Sequence, residues 1–120
     1  MALLEALNLQ VHYGGIAAVK GVSFAIEQGE IVCLIGANGA GKTSTLKALA
    51  RLLPSSGEIH YGGERIEKLP AHALVSRGLA LVPEGRGVFA RLSVAENLDM
   101  GAYHRKDNDI DTDLQRVYQL

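Results

Sequence analysis

The chain has 120 residues, of which 48% are apolar and 21% charged, and its formal net charge is −1. These values are ordinary for a globular protein of one domain at most, and they exclude collagen-like, mucin-like and disordered chains. The balanced charge lacks the basic footprint of a nucleic-acid-binding domain, the longest aliphatic runs are far below the ~20 residues of a membrane helix, and the single Cys33 excludes an internal disulfide.

The N-terminal segment is predicted to form an antiparallel pair of strands. Apolar residues alternate with polar ones from Leu7 to Tyr13, and Gly14-Gly15 interrupts the pattern. The alternation resumes from Val22 to Ile26, and the sequence Glu27–Glu30 indicates a tight turn after it.

The next segment predicts a strand, a glycine-rich loop and a helix in succession. Ile31–Ile35 is apolar throughout, so we expect a strand covered on both faces, with Cys33 as a small core residue. After the glycines, apolar residues at helical spacing predict a helix from Lys42 to Leu53, which Pro54 would stop.

Shorter elements are predicted in the middle of the chain. Residues 57–66 contain Gly62-Gly63 and indicate a small hairpin. Pro70–Ser76 indicates a short helix closed by Gly78, and Leu79–Val82 indicates a second buried strand.

The last part of the chain is predicted to hold an irregular loop and two helices. The loop covers residues 85–91, and Ser93–Glu96 is a capping box that would open the first helix. Asn108 or Asp109 could cap the second helix, whose amphipathic pattern is still running at Leu120.

Gly36–Thr43 fits the phosphate-loop pattern G-x-x-x-x-G-K-[ST]. Glycines let successive backbone N–H groups turn around phosphate oxygens, and the following helix directs its positive N-terminal end at the same anion. Lys42 would supply a cation for the β- and γ-phosphates, and Thr43 a hydroxyl for Mg²⁺. The pattern therefore predicts a nucleotide site between a strand and a helix.

Together with the phosphate loop, four further features have an order and spacing similar to those of the ATP-binding subunit of ABC transporters. Tyr13 stands before the glycine pair, Asn38 stands inside the phosphate loop, and Leu81–Glu84 and Leu92–Leu98 come later. More narrowly, the run from Val82 to Gly101 resembles the second ATPase of bacterial branched-chain amino acid importers, the LivF-like group.

The resemblance implies an α/β phosphate-loop NTPase fold of the ABC ATPase type. Residues 1–120 would be its N-terminal half, with an antiparallel β subdomain, part of the parallel core sheet with flanking helices, and the start of the helical subdomain, while the C-terminal half is absent. Such a domain is about twice this long, within ordinary domain sizes.

The resemblance also assigns roles to single residues. Tyr13 matches the aromatic residue that stacks on adenine; a core tyrosine at a strand end is the alternative. Glu84 stands where the family usually has a glutamine that contacts Mg²⁺ and the attacking water, so Lys42 and Glu84 are the candidate catalytic residues and Thr43 and Glu84 the candidate Mg²⁺ ligands. The nucleotide-binding set is Tyr13, Gly36, Ala37, Asn38, Gly39, Ala40, Gly41, Lys42, Thr43 and Ser44.

The loop after Glu84 would face membrane-embedded permease subunits, with Arg86, Val88 and Phe89 as the contacting residues. The alternatives are that Glu84 is a solvated loop carboxylate and that Phe89 packs on its own domain. Leu79–Glu84 also resembles a Walker B strand, but Pro83 intervenes and the family pattern puts that strand elsewhere.

For the parent protein, the resemblance implies ATP hydrolysis coupled to solute uptake, a second ATPase subunit, and a peripheral place on the cytoplasmic face of the bacterial inner membrane. The sequence holds no Leu-Ser-Gly-Gly-Gln-type signature and no apolar strand ending in Asp-Glu, so we expect these residues to bind ATP weakly and to hydrolyse it negligibly. The alternatives are a nucleotide-dependent interaction module without turnover and a small phosphate-loop NTPase or kinase.

Overall fold

The computed structural model of the protein describes residues 2–36, 41–82, 85 and 87–120. The chain divides into two compact units, Met1–Leu81 and Val82–Leu120. The described elements are, in chain order, β1 (Leu4–Tyr13), β2 (Ile16–Ile26), α1 (Lys42–Leu49), β3 (Ser56–Tyr61), β4 (Glu64–Arg65), α2 (Ala71–Val75), α3 (Val94–Gly101) and α4 (Ile110–Tyr118).

The first unit is built on an antiparallel sheet with the strand order β2-β1-β3-β4. The predicted strand pair at the N-terminus and the hairpin across Gly62-Gly63 are thereby confirmed, as is the turn closed by the Glu30 amide on the Glu27 carbonyl at 3.1 Å. The short helix α2 also lies inside its predicted range.

The prediction that residues of β1 alternate strictly between its two faces is wrong in one respect, because the strand contains a bulge. Asn8 has a φ of 52°, and the pairing register shifts between Ala6 and Leu9. The one-residue shift exchanges the two faces of the strand. Ala6 and Leu9 are therefore both buried, whereas Leu7, which was predicted to share a face with Leu9, is exposed.

Helix α1 lies against the core but is shorter than predicted. Its buried residues are Thr45, Ala48 and Leu49, whereas Leu46 is exposed. The helix ends at Leu49 rather than Leu53, because Arg51 adopts the left-handed conformation at φ 62°, which an α-helix cannot continue.

The predictions of buried strands at Ile31–Ile35 and Leu79–Val82 are wrong: neither segment is a strand. Ile31 and Ile35 are 93% exposed, Val82 is 91% exposed, and Cys33 lies at the surface rather than in the core. A doubly covered strand needs neighbouring strands and helices, and the sheet formed by the described residues offers it no partner. The part of the parallel core sheet that was expected is thus not formed in the described ranges.

The second unit contains α3 and α4. The capping box of α3 is confirmed: the Ser93 hydroxyl accepts from the Glu96 amide at 3.1 Å, and the Glu96 carboxylate accepts from the Ser93 amide at 2.9 Å. Helix α4 begins after Asp109, but the Asp109 side chain makes no capping hydrogen bond. A groove of about 160 Å³ with a mainly aliphatic lining lies between the two helices.

None of the helices in the described ranges is long and apolar enough to cross a lipid bilayer.

Candidate nucleotide-binding site

The entry into α1 requires glycine at position 41. Gly41 has a φ of 92°, and a Cβ atom there would lie 2.5 Å from the Ala18 carbonyl oxygen. The Gly41 carbonyl accepts two hydrogen bonds at 2.8 Å, from the Thr45 amide and from the Thr45 hydroxyl. The two hydrogen bonds hold the first turn of α1 together, and the absence of a Cβ atom at position 41 lets this turn lie close to β2. Ala37, Asn38, Gly39 and Ala40 lie outside the described residues.

The lysine of the phosphate-loop pattern bends back across the loop. Lys42 is the first residue of α1, and its ammonium donates to the carbonyl of Gly36. This hydrogen bond links Gly36 at the start of the loop to Lys42 at its end, and it places the ammonium of Lys42, the one cation in the Gly36–Thr43 motif, at the loop. The Thr43 side chain is exposed on the same first turn.

The start of α1 has the electrostatic character of an anion site. Its first N–H groups have no acceptor within the helix, and no acidic residue stands in the first turn. No cluster of three or more histidine, cysteine, aspartate or glutamate side chains that could hold a metal ion occurs among the described residues.

Tyr13 lies next to this helix start, although 31 residues separate it from Ser44 in sequence. The Tyr13 hydroxyl is 3.1 Å from the Ser44 hydroxyl oxygen, and the ring remains about half exposed. A tyrosine of the core would be buried, so the exposure of Tyr13 argues against that alternative. The structure thus brings Gly36, Gly41, Lys42, Ser44 and Tyr13 to one place.

The loop of the second unit presents two apolar side chains. Val88 and Phe89 are each 58% exposed, which argues against packing of Phe89 on the described part of its own domain. Glu84 and Arg86 lie outside the described residues, and the roles predicted for them stay predictions.

Asn97, a residue with no role predicted from the sequence, holds this loop. Its amide oxygen accepts from the Phe89 N–H at 2.8 Å, and its amide nitrogen donates to the carbonyls of Phe89 at 3.1 Å, Leu92 at 3.3 Å and Ser93 at 2.9 Å. An asparagine one residue after a capping box is within reach of the backbone that precedes the helix. That position is the signal that could have identified it.

Residues 19–120 match the family model described as ABC transporter. The chain belongs to this family. It is 42% identical over 119 residues to the high-affinity branched-chain amino acid transport ATP-binding protein BraG of Pseudomonas aeruginosa, an alignment that covers 98% of this chain and 51% of BraG. It is 40% identical over 116 residues to the lipopolysaccharide export system ATP-binding protein LptB of Escherichia coli K12, covering 89% of this chain and 48% of LptB.

A solved ATP-binding subunit of an ABC transporter has the same fold. It superposes with a TM-score of 0.73 at 32% identity, covering 84% of this chain and 42% of that one. The predicted ABC ATPase fold class is therefore confirmed, as an antiparallel sheet with helices that forms part of such a domain. The chain spans about half the length of the curated relatives it matches.

Proposed function

We propose that this chain is the N-terminal half of the ATP-binding subunit of an ABC importer and that it binds ATP at the start of α1. The observation that carries the proposal is the contact of Tyr13 with α1, in which the Tyr13 hydroxyl lies 3.1 Å from the hydroxyl oxygen of Ser44. An aromatic ring for the base and a helix N-terminus for the phosphates stand side by side, as a nucleotide requires.

Three groups would contact the phosphates. The N–H groups of the first turn of α1 donate to their oxygens, and the Lys42 ammonium exchanges the Gly36 carbonyl for the β- and γ-phosphates. The ammonium already lies at the loop, where the phosphates would bind. The left-handed Gly41 backbone, which glycine adopts without strain, leads the chain into the helix start.

Mg²⁺ fits the site as a companion of the nucleotide. Thr43 offers an exposed hydroxyl on the first turn of α1, and Mg²⁺ in such sites is held by few protein ligands together with phosphate oxygens and waters. Thr43 would hold it, with Glu84 as a second proposed ligand. When bound, the ion neutralises the charge that phosphoryl transfer develops.

For the whole protein, we propose ATP hydrolysis coupled to uptake of branched-chain amino acids, at the cytoplasmic face of the inner membrane. BraG supports this substrate class, whereas LptB, which is named for lipopolysaccharide export, has nearly the same identity, so overall identity alone does not separate import from export. The narrower LivF-like pattern after Val82 favours import.

The exposed Val88 and Phe89 support a docking surface for permease subunits. Two neighbouring apolar side chains held outward by a braced loop present a surface that a partner's cytoplasmic segment would cover. A second ATPase subunit, the same or different, would complete the transporter. A nucleotide-dependent interaction module without turnover would use the same two surfaces.

Calorimetric titration of the 120-residue chain with ATP, with and without Mg²⁺, tests the nucleotide proposal. We expect saturable binding that Lys42→Ala abolishes. Lys47→Ala is the matched control, because it removes a lysine from the last turn of the same helix, and it should bind as the unmodified chain does. Equal binding by the Lys42 and Lys47 variants would refute the assignment.

A further inference from the structure

The contact between Tyr13 and Ser44 involves a hydroxyl group that adenine stacking does not need. Stacking uses only the face of the ring, and phenylalanine would supply it equally well. The Tyr13 hydroxyl nevertheless lies 3.1 Å from the Ser44 hydroxyl, and either oxygen can donate. This bond connects the end of β1 to the first turn of α1.

The bond restricts the ring in a way that burial does not. The ring is about half exposed at the end of a strand, so its packing leaves the side chain free to change rotamer. Ser44, by contrast, belongs to a turn that the contacts of Gly41 fix. A ring attached to that turn keeps a constant distance from the phosphate site.

We propose that Tyr13 is a positioning residue: the hydrogen bond between its hydroxyl and that of Ser44 holds the ring, on which the base would stack, at a fixed distance from the phosphate site. The inference rests on the proposed ATP binding. Its consequence is selectivity: the tether favours a nucleoside triphosphate, which contacts both places, over bare tripolyphosphate, which contacts only the helix start.

The test compares the Kd of ATP with the Kd of inorganic tripolyphosphate for the 120-residue chain. The selectivity ratio is the Kd of tripolyphosphate divided by that of ATP. Tyr13→Phe keeps the ring and removes the tether, and we expect the ratio to fall by about two- to fivefold, the effect of one exposed hydrogen bond. Ser44→Ala should lower the ratio by the same factor, whatever it does to the two affinities themselves.

The double variant should lower the ratio no further, because both changes remove one bond. Tyr103→Phe is the control, since its hydroxyl is exposed and makes no hydrogen bond within the described part of the chain. An unchanged or higher ratio in Tyr13→Phe would overturn the inference, as would losses that multiply in the double variant. Absence of ATP binding by the unmodified chain would instead refute the proposed function.

Discussion

Replacing Asn97 by alanine should free the Phe89 loop while leaving α3 in place. The substitution removes four hydrogen bonds between one side chain and the backbone of the loop and the helix cap. The capping box of Ser93 and Glu96 is untouched, and alanine is a better helix former than asparagine. The expected effect is therefore local to the loop.

The magnitude follows from the number and exposure of these bonds. Each is exposed, so the lower end of the usual range, about 0.5 kcal/mol, applies to each of them. Three of the contacts reach the loop backbone, at Phe89 and Leu92, so the loss on their removal is about 1.5 kcal/mol. The helix propensity of alanine does not enter, because α3 is formed in both the open and the closed loop, and the loss corresponds to about a tenfold change in the local opening equilibrium.

Amide hydrogen exchange measured by NMR reports this opening directly. The Phe89 N–H loses its acceptor, and the Leu92 N–H donates to the Phe89 carbonyl at 3.0 Å, so both amides should exchange about tenfold faster. Asn108→Ala is the control, because the Asn108 side chain makes no hydrogen bond in the described ranges. Exchange at Phe89 that changes less than twofold in the Asn97 variant, or equally in the control, would refute the bracing role.

Three further results are expected. Cys33 is exposed, so its thiol should react with a thiol reagent in the native chain as completely as in urea; slow labelling that urea accelerates would contradict the exposed segment. Gly41 has a positive φ, and Gly41→Ala would place a Cβ atom 2.5 Å from the Ala18 carbonyl oxygen, so the free energy of unfolding measured in urea should fall by more than 1 kcal/mol. Gly101→Ala is the control: no atom lies within 4 Å of the added Cβ, and the free energy of unfolding should not fall. The pKa of Glu96 is lowered first by the hydrogen bond from the Ser93 backbone and then by the hydrogen bond with the Ser93 side chain. The ionised carboxylate therefore stabilises α3 at a pH above the pKa of the unfolded chain, and this stabilisation is lost as the pH falls through the lower pKa of the folded chain. Protection of the α3 amides from exchange should decrease below about pH 4, and in Glu96→Gln it should not change there.

The features that the sequence predicted correctly depend on neighbours in the chain. The capping box at Ser93 needs residues three positions apart, and the hairpin at Gly62-Gly63 needs two glycines between short strands. The phosphate loop was likewise identified from contiguous residues, and the structure sets Gly41 and Lys42 at the start of a helix, as the motif requires.

The features that were wrong or missed depend on distant parts of the molecule. Ile31–Ile35 has the composition of a doubly covered strand, but strand formation requires partners that composition does not encode. The bulge at Asn8 reverses the faces of β1 through one left-handed residue, a change that alternation cannot reveal. The contact of Tyr13 with Ser44 joins residues 31 positions apart, so only the folded chain defines it. The brace from Asn97 to Phe89 was missed although the position of Asn97 directly after the capping box signals it.

A backbone-amide NMR titration of the 120-residue chain with MgATP tests directly whether a nucleotide binds at the start of α1. We predict saturable shifts concentrated at Gly36, at 41–44 and at Tyr13, all absent in Lys42→Ala. Shifts concentrated in the α3–α4 groove, or shifts that persist in Lys42→Ala, would show that the nucleotide does not bind at the start of α1.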